Sequence, residues 1–196
     1  MKRWWPVPAL VFALSLSGNA LPQTLGMPIG ITGKIQLISY PSIKKELKVT
    51  KDQDKQIQSM LTSLQASGAA GFSSFNPVYI SKEIDTKLDE LLTDVQRARM
   101  KELWYQANGF FMLRLPGPAE EIHLEAEAAA KVIAICDAHD EEVTELMMQS
   151  QRNGSKLKGM LEAKRKEYQS KVEALLNEDQ KKAWTGLLGK PFKFPF

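Results

Sequence analysis

The sequence predicts an all-α protein built from antiparallel helical hairpins, with an extended strap at its C-terminus. Three observations predict this class. Helix-capping motifs recur along the chain, and the apolar residues between them follow the helical spacing of three and four. No segment shows the alternating runs of Val, Ile and Thr that are typical of a sheet strand.

The capping motif occurs in three clear copies. Each has an apolar residue, then Thr or Asn, then two residues of which at least one is acidic, then Gln. The Thr or Asn side chain accepts a hydrogen bond from a free N–H in the first turn, and the Gln side chain reaches back to the N–H of the cap. Each copy therefore predicts the start of a helix. The motif residues are Thr50 and Gln53, Thr93 and Gln96, and Asn177 and Gln180.

A weaker fourth copy spans residues 122–128, with Glu125 in place of Thr and Ala128 in place of Gln. If it is counted, the first and fourth copies lie 75 residues apart and the second and third lie 84 apart. This spacing indicates a tandem duplication of a two-motif unit, with halves 41–117 and 118–196. The alternative is one irregular helical domain with three good caps. The residues alone leave both interpretations open.

The segments between the motifs complete the expected layout. An extended segment, 21–40, precedes a helical domain, 41–196. Apolar spacing predicts the longest helix from 119 to 151, and Gly109 is expected to end the helix that begins after the second motif. The segment 192–196 alternates aromatic and other residues beside two prolines, so it cannot be helical. We expect it to dock as a strap on the apolar surface of the helices.

Residues 1–20 have the features of a secretory signal peptide. A short basic start precedes the apolar run 9–16, and small residues lead to a cleavage position after Ala20. An uncleaved membrane anchor is the alternative, but the run is shorter than the about 20 apolar residues that span a bilayer. We therefore expect a mature chain that begins near Leu21, is secreted across the inner membrane into the periplasm, and has no stable membrane span.

Composition argues against several classes of function. The chain of 196 residues has 26 Lys and Arg against 23 Asp and Glu, and its net charge of +3 falls to +1 when Lys2 and Arg3 leave with the signal peptide. No nucleic acid partner is expected, since nucleic acid binding needs a clustered basic surface. The single cysteine, Cys136, excludes an intrachain disulfide and a Cys-based zinc site. The sequence also has no phosphate-binding loop and no nucleophile elbow, so we expect no enzyme and no cofactor.

The repeated pattern Leu-x-[Leu/Val]-Thr-x-x-Gln resembles the LTXXQ-motif family of secreted helical proteins, which includes the Spy/CpxP-type periplasmic chaperones. Segments 40–50 and 187–192 are similar to the opening and the ending of long relatives in that group. The resemblance implies long bent hairpins without enzymatic activity that bind unfolded or misfolded proteins during envelope stress. It also implies a structural role for the motif residues. This chain departs from the compact chaperones in having three or four motifs instead of two, and in having a nearly neutral mature charge.

Apolar residues near turns and helix ends are the candidates for contact with such clients. The loop 71–77 would expose two phenylalanines, and a second apolar run follows Gly109. Two adjacent methionines lie near the end of the longest predicted helix, and methionine suits adaptable binding surfaces as well as helical cores. The candidates are Phe72, Phe75, Phe110, Phe111, Met112, Met147 and Met148.

Two further hypotheses belong to other classes of function. One is a structural or regulatory module that binds a single envelope partner. That partner is either another envelope protein or a second copy of the chain, and the second case would give a homo-oligomer. The other is an envelope metal-responsive protein. Its weak candidate ligands, Cys136 and His139, lie three residues apart on one helix face. A metal site usually has more than two ligands, which favours a structural role for both.

Overall fold

A computed structural model describes residues 32–69, 77–149 and 154–195 of the chain. All regular secondary structure in these ranges is helical, which confirms the predicted all-α class. Within the described ranges, no helix combines the length and the apolar character that are needed to cross a membrane. The predicted signal peptide, 1–20, and the candidates Phe72 and Phe75 lie outside these ranges.

The described helices follow one another with short connections. A 3₁₀ segment, Gly109–Arg114, separates α5 from α6. The helices are α1 (Lys34–Ile38), α2 (Pro41–Glu46), α3 (Lys51–Ala69), α4 (Pro77–Leu91), α5 (Asp94–Asn108), α6 (Pro116–Glu121), α7 (Ala126–Gln149), α8 (Gly154–Glu173) and α9 (Glu178–Leu188).

The prediction of an extended segment over 21–40 is wrong for α1. Gly33 starts this short helix, and its N–H donates to Oε1 of Gln36 at 2.9 Å. Burial stabilises the turn further, since Leu37 and Ile38 are completely buried. A five-residue helix is too short to show helical periodicity in the sequence, so the pattern predicted no helix here.

The prediction of one long helix from 119 to 151 is also wrong. The chain leaves the helix after α6, and His123 takes a left-handed conformation with φ 53°. The N–H of Leu124 then donates to the carbonyl of Ala119 at 2.9 Å, which closes the end of α6. The apolar pattern continues across the break because Ile122 is still buried, so spacing alone does not reveal it.

The same order of elements occurs twice. In each set a short helical turn leads to a proline-initiated short helix, a residue with positive φ, two long helices, a motif-initiated helix and a glycine with positive φ. Corresponding positions are Pro41 and Pro116 at the first helical residue, Lys48 and His123 at φ 53°, and Gly109 and Gly189 at φ 60° and 59°. The short helical turns that precede these prolines, α1 and the 3₁₀ segment, also correspond to each other.

Two hydrophobic clusters form the core of the described ranges. The first cluster is built mainly from buried residues of α1 to α5, and the second from the 3₁₀ segment, the end of α6, α7, α8 and α9. They meet at α5, where Trp104 packs against both. Beside it, Tyr105 stacks on Trp184 of α9 with ring centroids 5.4 Å apart. Helix α5 therefore joins the two sets of elements.

The C-terminal segment after α9 is not helical and crosses to the first cluster. Phe192 and Phe194 are partly buried against that cluster, and their rings meet edge to face at 5.1 Å. The predicted strap is therefore confirmed over residues 190–195, which we call the strap.

Candidate interaction surface

The first two capping motifs form the predicted helix starts and also bind each other. Thr50 Oγ1 accepts from the N–H of Gln53 at 3.2 Å, and Gln53 Oε1 accepts from the N–H of Thr50 at 3.0 Å. Thr93 and Gln96 make the same reciprocal pair. The side-chain amides of Gln53 and Gln96 also bond to each other, and Gln53 Nε2 donates to the carbonyl of Leu91 at 3.0 Å, next to the second motif. The motif side chains are therefore engaged within the protein.

The third motif forms the same capping box, but its glutamine has no second glutamine to pair with. Asn177 Oδ1 accepts from the N–H of Gln180 at 2.9 Å, and Gln180 Oε1 accepts from the N–H of Asn177 at 3.1 Å. Gln180 Nε2 donates to the carbonyl of His123 at 3.2 Å, in the turn before α7. At the position that would match Gln53 stands Ala128, so no amide pair can form there.

The structure buries two of the three client-contact candidates that follow Gly109. Phe111 is only 2% exposed and Met112 is completely buried in the second cluster, where α7 and α8 cover the turn. Phe110 is half-buried, and its ring lies 5.7 Å from that of Trp184. The run follows a turn in sequence, but tertiary packing makes it part of the core. Phe111 and Met112 are therefore not available for client contact in this structure.

The weak metal candidate His139 lies inside the second cluster. Its ring is packed between Phe111 and Tyr168, with centroid distances of 4.6 and 5.3 Å. Its Nδ1 lies 3.1 Å from a carboxylate oxygen of Asp140, whose other oxygen accepts from Arg114 at 2.7 Å. This arrangement orients the imidazole within the core and connects it to an ion pair.

Cys136 has no exposed surface, and burial raises the pKa of its thiol to about 11. A thiol that stays protonated at neutral pH is a poor nucleophile and a poor metal ligand. Among the described residues, no group of three or more His, Cys, Asp or Glu side chains is placed to hold a metal ion.

The large apolar side chains that are exposed in the described ranges are mostly on α7 and α8. Met147 is 40% exposed, Met148 is 68% exposed and Met160 is 46% exposed. We call these three the exposed methionines. Ile133 on α7 is 43% exposed, whereas Val95, at 80%, lies apart from them in the first turn of α5. Met147 and Met148 are among the candidates that the sequence predicts, whereas Met160 is not, because an isolated methionine carries no local signal.

The contacts between α7 and α8 place the exposed methionines at one end of the pair. Glu142 accepts from the hydroxyl of Tyr168 at 2.6 Å and pairs with Lys164 at 2.7 Å. His139 precedes Glu142 on α7, and its ring contacts Tyr168, which follows Lys164 on α8. Later residues of α7 thus contact earlier residues of α8. The end of α7 and the beginning of α8, which carry the exposed methionines, lie at the same end.

A second surface is formed where the strap crosses α5. Gln106 Oε1 accepts from the N–H of Phe192 at 2.9 Å, and Gln106 Nε2 donates to the carbonyl of Lys190 at 2.8 Å. Arg99 Nη1 donates to the same carbonyl at 2.8 Å. The sequence gives no signal for these two side chains, since their partners lie more than 80 residues away in the chain.

No protein-family model, curated protein or solved structure matches this chain.

Proposed function

We propose that the protein is a secreted, non-enzymatic binding protein that holds unfolded or stressed envelope proteins without ATP. The observation that carries the proposal is the set of exposed methionines at one end of α7 and α8. Unbranched thioether side chains adapt to many partner shapes, and grouped exposed apolar residues are typical of interaction sites.

The scaffold in this proposal is a duplicated unit. The repeated order of elements supports an origin by tandem duplication, with the division near residue 108 instead of between 117 and 118, because the turn before each proline belongs to the unit. The amides of Gln53 and Gln96 are used within the protein, which supports a structural role for the motifs. The client would then be held by residues outside the motifs.

The other hypotheses receive different support. Cys136 and His139 do not support the metal-responsive hypothesis, since both are buried in the second cluster. A module for one dedicated partner would use the same exposed methionines, and a pull-down separates it from the proposal. Many unrelated proteins are expected in the pull-down, whereas one stoichiometric partner would favour the dedicated module.

The test is the aggregation of a chemically denatured model client in the presence of the mature protein without ATP. We expect suppression at equimolar protein, and a several-fold weaker effect for Met147→Ser/Met148→Ser/Met160→Ser. These positions are exposed, so the stability of the variant should change by only about 0.5 kcal/mol per site. The matched control is Val95→Ser, which removes exposed apolar surface from α5.

Two outcomes would contradict the proposal. Absence of suppression even with excess protein would remove the client-binding function. Suppression by the triple methionine variant equal to that by the unchanged protein would show that clients bind elsewhere.

A further inference from the structure

The strap is held by groups that recognise backbone and not side-chain identity. The amide of Gln106 donates to the carbonyl of Leu188, the last residue of α9, and to that of Lys190, and it accepts from the N–H of Phe192. The chain bends at Lys190, where it leaves α9, and has no regular secondary structure over 191–195. The Gln106 amide therefore holds the strap through backbone atoms, whatever the side chains at positions 190 and 192.

The side chains of the strap alternate in the same register. Phe192 and Phe194, two residues apart, are both partly buried against the first cluster. Lys193 between them is exposed, as are Pro191 and Pro195 on either side. Two aromatic residues at alternate positions therefore provide the apolar contact, while the intervening residues face the solvent.

The receiving groups are held in place by contacts that do not involve the strap. Arg99 pairs with Glu46 of α2 at 2.7 Å and with Glu102 of α5 at 2.5 Å. Gln106 lies on α5, whose end is fixed by Gln169 and Arg165 of α8 through the carbonyls at its last two residues. The surface that receives the strap is thus built by α2, α5 and the first cluster themselves.

We propose that this surface, the strap groove, formed by Arg99, Gln106 and the adjoining first cluster, binds extended segments of other proteins that carry aromatic residues at alternate positions. The strap occupies the groove as an internal ligand. This inference goes beyond the proposed function, because it adds a second binding site built from residues other than the exposed methionines. An occupied groove has an apparent affinity reduced in proportion to the fraction of time that it is open.

The probe is a fluorescent peptide with the sequence of residues 189–196, titrated into the full mature chain. Phe192→Ser/Phe194→Ser removes the anchors of the internal strap, and we expect it to bind the peptide at least about tenfold more tightly than the unchanged protein. Adding Gln106→Ala to that variant should abolish most of the gain. Lys193→Ala, at an exposed strap position, is the matched control and should bind like the unchanged protein.

Several results would overturn the inference. A folded Phe192→Ser/Phe194→Ser protein that binds no more tightly would show that the strap is only a brace. A gain that survives Gln106→Ala would show that the peptide binds elsewhere. A dimer of the unchanged protein with exchanged straps would assign the groove to a second copy of the chain.

A second measurement covers the case in which the double variant does not fold. Excess peptide added to the unchanged protein should raise the hydrogen-exchange rate of the Phe192 amide, which Gln106 otherwise protects. An unaltered rate at saturating peptide would overturn the inference. If the protein suppresses client aggregation but does not bind the peptide, the strap groove is not a binding site. The proposed function would still stand, because the aggregation assay reports on the exposed methionines.

Discussion

The side-chain amides of Gln53 and Gln96 form a reciprocal pair across 43 residues of sequence. Gln53 Nε2 donates to Gln96 Oε1 at 2.8 Å, and Gln96 Nε2 donates to Gln53 Oε1 at 3.1 Å. Gln96 also donates to the carbonyl of Leu47 at 3.0 Å, in the turn before α3. Because each glutamine also caps its own helix, the starts of α3 and α5 are fixed to each other.

This pair predicts a strong dependence of stability on Gln96. Its side chain is 9% exposed, and Gln96→Ala leaves the buried carbonyl of Leu47 without this donor, so we expect a loss of about 2 to 3 kcal/mol in the free energy of unfolding. Gln180→Ala is the matched control. It removes the exposed bonds of the Gln180 side chain to the N–H of Asn177 and to the carbonyl of His123 without breaking an amide pair, and should cost about 0.5 to 1 kcal/mol. Urea denaturation measures both, and equal losses would contradict this interpretation.

Gly189 should be far less replaceable than another glycine of the same region. Its φ of 59° and ψ of −147° are almost restricted to glycine, and a Cβ there would collide with the carboxylate of Glu102. We expect Gly189→Ala to cost about 1 to 3 kcal/mol. Gly186→Ala, in the interior of α9 with open space around the added methyl, should instead stabilise by about 0.5 to 1 kcal/mol. Thermal unfolding of the two variants compares them, and shifts of the same sign would be inconsistent with the structure.

Asp85 on α4 makes the stability depend on pH. Burial raises the pKa of its carboxyl to about 6, with Lys34 opposing and Asp89 reinforcing the shift. The unfolded chain has a pKa near 3.9, so the folded state binds the proton more tightly. The charged carboxylate therefore destabilises the fold above pH 6, and this penalty disappears as the pH falls toward 4.

Asp85→Asn should accordingly stabilise the protein at pH 7 by about 1 to 2 kcal/mol and have almost no effect near pH 4. Glu90→Gln on the same helix is the control, since its side chain is exposed. Urea denaturation at both pH values provides the measurement. A stabilisation by Asp85→Asn that is the same at pH 4 and pH 7 would refute the assignment.

Cys136 should be unreactive in the folded protein. With a thiol pKa of about 11, roughly one molecule in a thousand carries the thiolate at pH 8, and the side chain is fully buried. We expect reaction with a disulfide reagent at least about 100-fold more slowly in the native state than in urea. As the chain has one cysteine, the signal is unambiguous. Rapid labelling of the native protein would show that the second cluster opens readily.

Local chemistry explains which features the sequence predicts. The three capping boxes and the end of α5 at Gly109 follow from residue types within one helical turn, and all appear in the structure. The strap follows from its prolines and its alternating phenylalanines. Each of these features depends on neighbours in the chain.

The failures depend on residues that are distant in sequence. The break at His123 interrupts an apolar pattern that remains continuous, because Ile122 and Val132 are buried on both sides of it. Phe111 belongs to the core because α7 and α8 close over it, which no local pattern reveals. The pairing of Gln53 with Gln96 and the hold of Gln106 on the strap likewise require the folded chain.

The most direct test of client binding at the exposed methionines is site-specific crosslinking. A photo-crosslinker attached at Met148→Cys should capture a denatured model client, while the same group at Val95→Cys serves as the control for an exposed site away from α7 and α8. Labelling should be selective because Cys136 is buried. We expect a several-fold higher crosslinking yield from position 148 than from position 95. Equal yields, or no capture at position 148 by a folded protein, would contradict it.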